Sequence, residues 1–154
     1  MYKQIICASK DESALWIRER VVGFHIGRFD VKSTRSPARF VRRMAGFLTT
    51  YLPGCKETFY VKNPSNGLVY DTSRCAEDIE ACYEQAIIMP LNEIQSTNMQ
   101  IFVIGAMDEC VDHQTSANAI FELISRRLWK LPDWLKWVIF SRDIPLEINH
   151  EHHF

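Results

Sequence analysis

Polar residues follow three apolar runs of this chain, and they are the places where its sequence could support chemistry. In a parallel α/β sheet, ligands bind beyond the carboxyl ends of the strands, so side chains directly after such runs meet at one edge. The first place spans residues 9–13, the second is Asp108-Glu109, and the third is Ser141-Arg142. All three are therefore expected at the edge where a ligand would bind.

The turn before Ser13 is a candidate phosphate-binding loop between a strand and a helix. Such a loop needs glycines for close backbone approach, a lysine to neutralise the phosphates and a Ser or Thr to hold magnesium. With the helix registered on Ser13, Ile6 takes the first glycine position and Glu12 the lysine position. Asp11, at the second glycine position, adds another carboxylate, and like charges this close repel by roughly several kcal/mol. Lys10 and Ser13 remain as candidate cofactor-binding residues, with Ser13 also a metal ligand.

Asp108 and Glu109 follow the apolar run at residues 101–104. Carboxylates in this place suit a magnesium ligand or water holder and a general base. Asp108 is therefore a candidate cofactor and metal contact, and Glu109 is the catalytic candidate if the protein is an active enzyme. Acidic pairs also cap helices and loops. Arg142 could contact a γ-phosphate, or it could form an ion pair with a carboxylate such as Asp108.

The elements that would position these residues alternate between strands and helices. Apolar runs predict strands, and helical spacing of apolar residues predicts helices between them. The predicted strands are residues 3–7, 21–26, 101–104 and 137–140. The first predicted helix starts near Ser13. Three more are predicted, from Ser36-Pro37 to Pro53-Gly54, from residue 75 to Pro90, and from residue 117 to residue 128. This order indicates an α/β fold in which helices flank a mostly parallel central sheet.

Composition restricts the class of protein. The 154 residues suit a single domain, and 47% hydrophobic with 24% charged residues is ordinary for a globular chain. A net charge of −1 argues against nucleic-acid binding, and no apolar run is long enough for a membrane span. The five cysteines form no Cys-x-x-Cys pair, so we expect reduced, mostly buried thiols and a cytoplasmic protein.

Three segments together resemble the NACHT-like nucleotide-binding domain of STAND signalling proteins, of the type that precedes ankyrin or tetratricopeptide repeats. Residues 22–52 are similar to the second strand and following helix of that domain, residues 101–110 to its Walker B strand, and residues 131–145 to its sensor strand. The resemblance implies a three-layer P-loop NTPase fold. Such proteins continue into further domains, so residues 1–154 are expected to be one domain, either a fragment, a trimmed paralogue or a truncated product.

Departures from this family pattern shape the expected function. The Gly-Lys-Ser loop of the family keeps only Ser13 here, and the magnesium-binding aspartate of its Walker B strand falls at Gly105. We therefore expect a degenerate domain that acts in protein interaction or signalling, with no cofactor or weakly bound ATP and magnesium. The alternative is an active or nucleotide-switched ATPase that uses Lys10, Ser13, Asp108, Glu109 and Arg142.

Helix faces are the expected contact surfaces for protein partners or for self-association. Arg39, Arg42 and Arg43 share one face of the helix after Pro37, where they are either solvated or contact an anionic partner. The segment around Trp134, which we expect to be exposed, is a second candidate for docking a partner helix.

Overall fold

The computed structural model describes residues 12–62, 71–96, 98–112 and 117–142. The predicted strand at residues 3–7, Lys10 and the predicted loop at residues 63–67 lie outside these ranges. Within them, the helix predicted near Ser13 begins at Glu12, and the predicted strands at residues 21–26 and 101–104 are confirmed.

Helices and strands alternate along the described chain. The strands are β1 (Val21–Ile26), β2 (Gln100–Gly105) and β3 (Leu135–Ile139). The α-helices are α1 (Glu12–Arg20), α2 (Lys32–Arg35), α3 (Pro37–Tyr51), α4 (Cys55–Glu57), α5 (Thr72–Glu77), α6 (Ile79–Tyr83), α7 (Met89–Asn92) and α8 (Ala119–Arg127). Thr58–Lys62 and Glu84–Ile88 are π-helical, and Met107–Cys110 and Leu128–Lys130 are 3-10 helical. No helix in the described ranges combines the length and apolar character needed to cross a membrane.

The three described strands form one parallel sheet in the order β1-β2-β3. Phe24 is in register with Val103, which in turn is in register with Val138. Most residues of the central strand β2 are buried, because neighbouring strands cover both of its edges and helices pack against the sheet. The predicted α/β class with a parallel sheet flanked by helices is therefore confirmed, on a small sheet.

Helix α3 forms where its sequence signals predict it. The Ser36 side chain accepts a hydrogen bond from the Arg39 amide at 3.4 Å, and Pro37 takes the first turn, where no amide donor is needed. The helix ends at Tyr51 with Leu52 as its C-cap, and Gly54 then adopts a left-handed φ of 80° that favours glycine. The buried residues of α3 pack toward β1: Ala38, Phe40, Val41, Met44, Ala45 and Leu48.

The core lies between the sheet and these helices. Phe40 of α3 contacts Phe102 of β2 edge to face, with ring centroids 6.4 Å apart, and Phe102 lies 5.2 Å from Trp137 of β3. Tyr83 is also fully buried. Trp134 is partly buried against this core, so our prediction of an exposed Trp134 segment is wrong; Leu131 and Leu135 beside it are buried and hold it there.

The segment from Cys75 to Pro90 differs from the prediction of one helix. Asp78 interrupts it and caps α6, because its carboxylate accepts a hydrogen bond from the Ala81 amide at 2.9 Å. Pro90 does not end the segment. It lies in the first turn of α7, where a proline costs no hydrogen bond, and the helix continues to Asn92.

Cys75 and Cys82 form a disulfide, so the expectation that all cysteines are reduced is wrong for this pair. In an unbroken helix, residues seven apart lie about 10 Å apart along the axis. The interruption at Asp78 brings their Cα atoms to 5.3 Å, a distance that a disulfide can span. Cys55 and Cys110 are free and buried, as predicted for the thiols of this chain.

Candidate functional site

The turn after β2 is a tight structure at the carboxyl edge of the sheet. Ala106 has a left-handed φ of 52°, which a residue with a Cβ adopts only at some cost. The Gly27 amide donates to the Gly105 carbonyl at 2.9 Å, and the Met107 amide donates to the Phe140 carbonyl at 3.1 Å. The ends of all three strands are therefore tied together where the candidate acids begin.

Asp108, Glu109 and Arg142 meet at this edge and form what we call the acid-arginine cluster. Arg142 Nε donates to Asp108 Oδ2 at 2.8 Å, and its Nη2 donates to Glu109 Oε1 at 2.7 Å. The Arg142 backbone amide donates to Asp108 Oδ1 at 3.2 Å. Glu109 Oε2 accepts from the Phe29 amide at 2.9 Å. Each of the four carboxylate oxygens thus already has a donor.

The electrostatics of the cluster are dominated by Arg142. Partial burial raises the pKa of Asp108, but the hydrogen bonds and the positive charge of Arg142 outweigh it, so the pKa of Asp108 is lowered. The hydrogen bond that Arg142 donates to Asp108, followed by the negative charges of Asp108 and Glu109, raises the pKa of Arg142 in turn. Asp108 is 20% exposed and Arg142 is 78% exposed. The cluster is an ion-paired network at the surface, not a buried set of free acids.

The predicted site residues have different outcomes. Asp108, Glu109 and Arg142 lie together, as expected for residues that follow neighbouring parallel strands. Ser13 lies in the first turn of α1, and Lys10 is outside the described ranges. In the part of the chain that the structure describes, no group of three or more His, Cys, Asp or Glu residues could hold a metal ion. The catalytic, nucleotide and metal roles of these five residues stay predictions.

A second polar site, which we call the basic cleft, lies beside β1 and α3. It has a volume of about 620 Å³. Residues from β1, α2, α3 and the start of α5 line it: His25, Ser33, Thr34, Arg39, Arg42, Arg43, Gly46, Phe47, Thr50, Tyr51 and Thr72. The three arginines of the predicted helix face are exposed, and they form one wall of this cleft. The sequence predicted their shared face but not the concave surface around it.

His25 is a buried polar residue on an otherwise apolar strand. Its side chain is 2% exposed, and its Nε2 lies 2.8 Å from the Thr34 carbonyl oxygen. A carbonyl oxygen only accepts hydrogen bonds, so Nε2 carries the proton and Nδ1 is left as an acceptor. Among the residues that the structure describes, Nδ1 has no hydrogen-bond partner. Burial lowers the pKa of His25, and the nearby charge of Arg43 lowers it further, against the hydrogen bond to Thr34, which raises it.

Several partners in these sites have no signature in the sequence. The Phe29 amide and the close approach of Gly27 to Ala106 are backbone features, which side-chain patterns do not report. His25 does have a signal, because a histidine inside a buried strand needs polar partners. Asn118 has one as well: it caps α8 through the Phe121 amide, while its side-chain amide donates to the Met107 carbonyl at 2.7 Å.

Comparison with known proteins gives one family. The family model described as "Nephrocystin 3, N-terminal" matches residues 2–142, a range that includes both the acid-arginine cluster and the basic cleft. No curated protein and no solved structure matches the chain.

Proposed function

The chain belongs to the nephrocystin 3 N-terminal family, and we propose that it is a degenerate NACHT-like P-loop domain that acts in protein interaction or signalling with little or no nucleotide hydrolysis. The proposal joins the parallel α/β sheet to the resemblance of its three segments to STAND nucleotide-binding domains. Its nucleotide pocket is then vestigial, or at most weakly occupied by ATP and magnesium.

The state of the two carboxylates carries this proposal. A magnesium ligand or a general base needs an oxygen that faces the metal or the attacking water. The oxygens of Asp108 and Glu109 instead accept hydrogen bonds from Arg142 and from the Phe29 amide. Binding a metal there would break an ion pair, and the contacts with Arg142 that lower the pKa of Asp108 favour its charged form.

The sequence around the expected phosphate loop supports the same conclusion. α1 begins at Glu12, so the first turn of the helix carries an acid where the family has its lysine. The amino-terminal end of a helix attracts anions, and a glutamate in the sequence at this point adds negative charge where the family has a lysine. Gly105, at the end of β2, supplies no side chain to a metal. Two separate parts of a magnesium-triphosphate site are therefore lacking.

Exposed aromatic side chains support a role in protein interaction. Trp129 is 79% exposed and Tyr51 is 62% exposed, and aromatic residues are enriched in protein interfaces relative to other surface. Trp129 follows α8, whereas Tyr51 ends α3, so the two lie on different helical segments. Helix faces are thus the proposed contact surfaces, both for partners and for self-association.

A nucleotide-binding experiment tests the proposal. Thermal unfolding and calorimetric titration of the whole chain should show no response to ATP with magnesium, and no phosphate release should be measurable. A ligand at 100 times its dissociation constant would stabilise the native state by about 2.7 kcal/mol, so binding would be readily seen. Micromolar affinity together with steady turnover would overturn the proposal.

The alternative, an active or nucleotide-switched ATPase, is favoured by the convergence of Asp108, Glu109 and Arg142 at the ligand-binding edge of the sheet. In that case Glu109→Gln should abolish turnover and leave ATP binding intact, because the substitution removes a base but keeps the shape of the side chain. Glu122→Gln, which changes an exposed acid on α8, is the matched control and should leave turnover unchanged.

A further inference from the structure

The arginines of the basic cleft carry charge that the described residues do not neutralise. Arg39, Arg42 and Arg43 are exposed on α3, and in the described ranges none of them forms an ion pair with a carboxylate. Arg42 donates only to the Thr72 hydroxyl, at 3.3 Å. Like charges one helical turn apart destabilise a helix. A bound anion would offset the repulsion among these three arginines.

The cations at the end of α8 and in the segment after it are paired, which shows that the unpaired state of the cleft arginines is a local property. Arg127 donates to Glu80, and Lys130 Nζ donates to the Glu84 carboxylate at 2.9 Å and 3.0 Å. Arg126 lies within ion-pair distance of Glu80 and of Glu122. No acid is among the residues that line the basic cleft.

His25 supplies a second and independent indication of a ligand. It lines the cleft, it is almost completely buried, and its Nδ1 has no partner. Buried polar atoms are nearly always hydrogen-bonded, because an unsatisfied one costs free energy. When the ring takes up a second proton, Nδ1 becomes a donor. A bound anion would stabilise that proton and also offset the charge of Arg43, which now opposes it.

The remaining lining residues suit a phosphate that is attached to an organic group. Phe47 and Tyr51 stack with centroids 6.1 Å apart, and Arg43 lies 6.0 Å from the Phe47 ring. An apolar surface therefore lies directly beside the charges. A phosphate monoester has about two negative charges and three acceptor oxygens, which matches several guanidinium groups held close together.

We propose that the basic cleft binds the phosphate monoester of a phosphorylated side chain in a partner protein, with Arg39, Arg42 and Arg43 as the phosphate contacts and Phe47 and Tyr51 as contacts to the neighbouring residues. That the carrier is a protein rests on the proposed role in protein interaction. The net charge of −1 disfavours a long polyanion such as RNA, which is held through many phosphates at once.

Titration of the whole chain with phenyl phosphate, followed by NMR, tests the phosphate contacts. The side-chain signals of the three arginines should shift, and the pKa of His25, measured from its ring signals, should rise. Arg42→Gln should weaken binding about tenfold, as expected for the loss of a charge-assisted hydrogen bond. Arg126→Gln removes an exposed helical arginine outside the cleft and should change nothing. No shift at the cleft, or equal loss in both variants, would overturn the proposal.

Labelled peptides with random flanks around phosphoserine, phosphothreonine or phosphotyrosine test the carrier. At least one phosphopeptide should bind ten times more tightly than phenyl phosphate, and its unphosphorylated form should not bind. The proposal fails if no phosphopeptide exceeds phenyl phosphate, or if a short RNA or vesicles with phosphoinositide headgroups bind more tightly. ATP turnover in the same samples reports separately on the proposed function, because Arg42→Gln leaves the acid-arginine cluster intact.

Discussion

The acid-arginine cluster and the basic cleft are two charged regions of the molecule, and they differ in how their charges are compensated. At the cluster, Arg142 and backbone amides satisfy both carboxylates. At the cleft, the described lining residues include no acid, and no described residue forms a hydrogen bond with Nδ1 of the buried His25. A network with paired charges stabilises the local structure. A cluster with unpaired charges can instead bind an anion from outside the chain, as we propose for the cleft.

From the sequence, the acid-arginine cluster is the stronger candidate for a ligand site. The pairing of charges in the structure favours the basic cleft instead. Asp108, Glu109 and Arg142 follow strands and therefore suggest a ligand site, yet their charges are directed at one another. The arginines of α3 suggest a solvated helix face, yet they line a concave surface. Position relative to a strand indicates where a ligand can bind, and the pairing of charges indicates whether the site is still available.

The largest expected effect comes from Gly27, which supports the acid-arginine cluster. A Cβ atom at this position would lie 2.4 Å from the Ala106 carbonyl oxygen and 2.7 Å from Cys110 Sγ. Because a backbone atom cannot rotate away, Gly27→Ala should lower the free energy of unfolding by about 3 kcal/mol, at the upper end for overpacked sites. Urea denaturation followed by circular dichroism measures this value.

Gly46 provides the matched control on the cleft side. A Cβ atom there meets nothing within 4 Å, and the residue lies inside α3. Gly46→Ala should therefore raise the free energy of unfolding by about 0.5–1 kcal/mol, because alanine loses less conformational freedom in a helix. Equal destabilisation by both variants would contradict the close packing that we describe at the carboxyl edge.

Loss of the disulfide should have the next largest effect, and it acts beside the cleft. Cys75→Ser with Cys82→Ser removes a cross-link over 7 residues, which the chain-entropy relation values at about 2.5 kcal/mol. Since α5 also carries Thr72, the hydroxyl that Arg42 contacts, the cleft should lose order while the cluster does not. Urea denaturation of the oxidised wild type and the double variant compares the two.

A reducing agent gives the control for this pair. It should lower the stability of the wild type toward that of the double variant, and it should leave the double variant unchanged. If the reductant has no effect on the wild type, Cys75 and Cys82 are not joined in the folded protein. Both would then be reduced thiols, as the sequence predicts.

Much of the fold could be predicted because its signals are local. β1 is apolar at most positions, and α3 is delimited by Ser36-Pro37 and by Pro53-Gly54. The disulfide could not be predicted from cysteine spacing alone. It depends on the helix interruption at Asp78, and an aspartate is found inside helices as well as at their caps.

The acid-arginine cluster could be predicted better than the basic cleft, because its residues follow from local signals in the sequence. The meeting of Asp108 with Arg142 follows from parallel topology, since both residues come directly after strands. The Phe29 amide that completes the shell of Glu109 could not be found, because every residue has an amide. The cleft needs the relative position of β1, α2 and α3, which no residue pattern fixes, so only its arginines were visible in the sequence.

The smallest expected effects are changes of pKa, and they compare the two regions most directly. Arg142→Gln keeps the backbone amide that donates to Asp108 but removes the guanidinium hydrogen bond and the positive charge, which also lower the pKa of Asp108, so this pKa should rise. Arg43→Gln removes a charge that opposes protonation, so the pKa of His25 should also rise. NMR titration of the carboxyl carbon and of the imidazole ring measures both values, and Arg28→Gln, which breaks only an exposed pair with Asp30, is the control.

The rise in the pKa of Asp108 in Arg142→Gln and the rise in the pKa of His25 in Arg43→Gln should have opposite consequences for stability. Asp108 and His25 each have a lowered pKa in the folded state, so each contributes stability that is lost as the pH falls, below about 4 for the carboxyl group and below about 6.5 for the imidazole. In Arg142→Gln a favourable pair is lost, so the variant is less stable at neutral pH. In Arg43→Gln a repulsion is lost, so the variant resists acid better as the pH falls below about 6.5. If Arg43→Gln instead unfolds more readily in this range, Arg43 has a partner in the folded chain, and the comparison between a compensated and an uncompensated region does not hold.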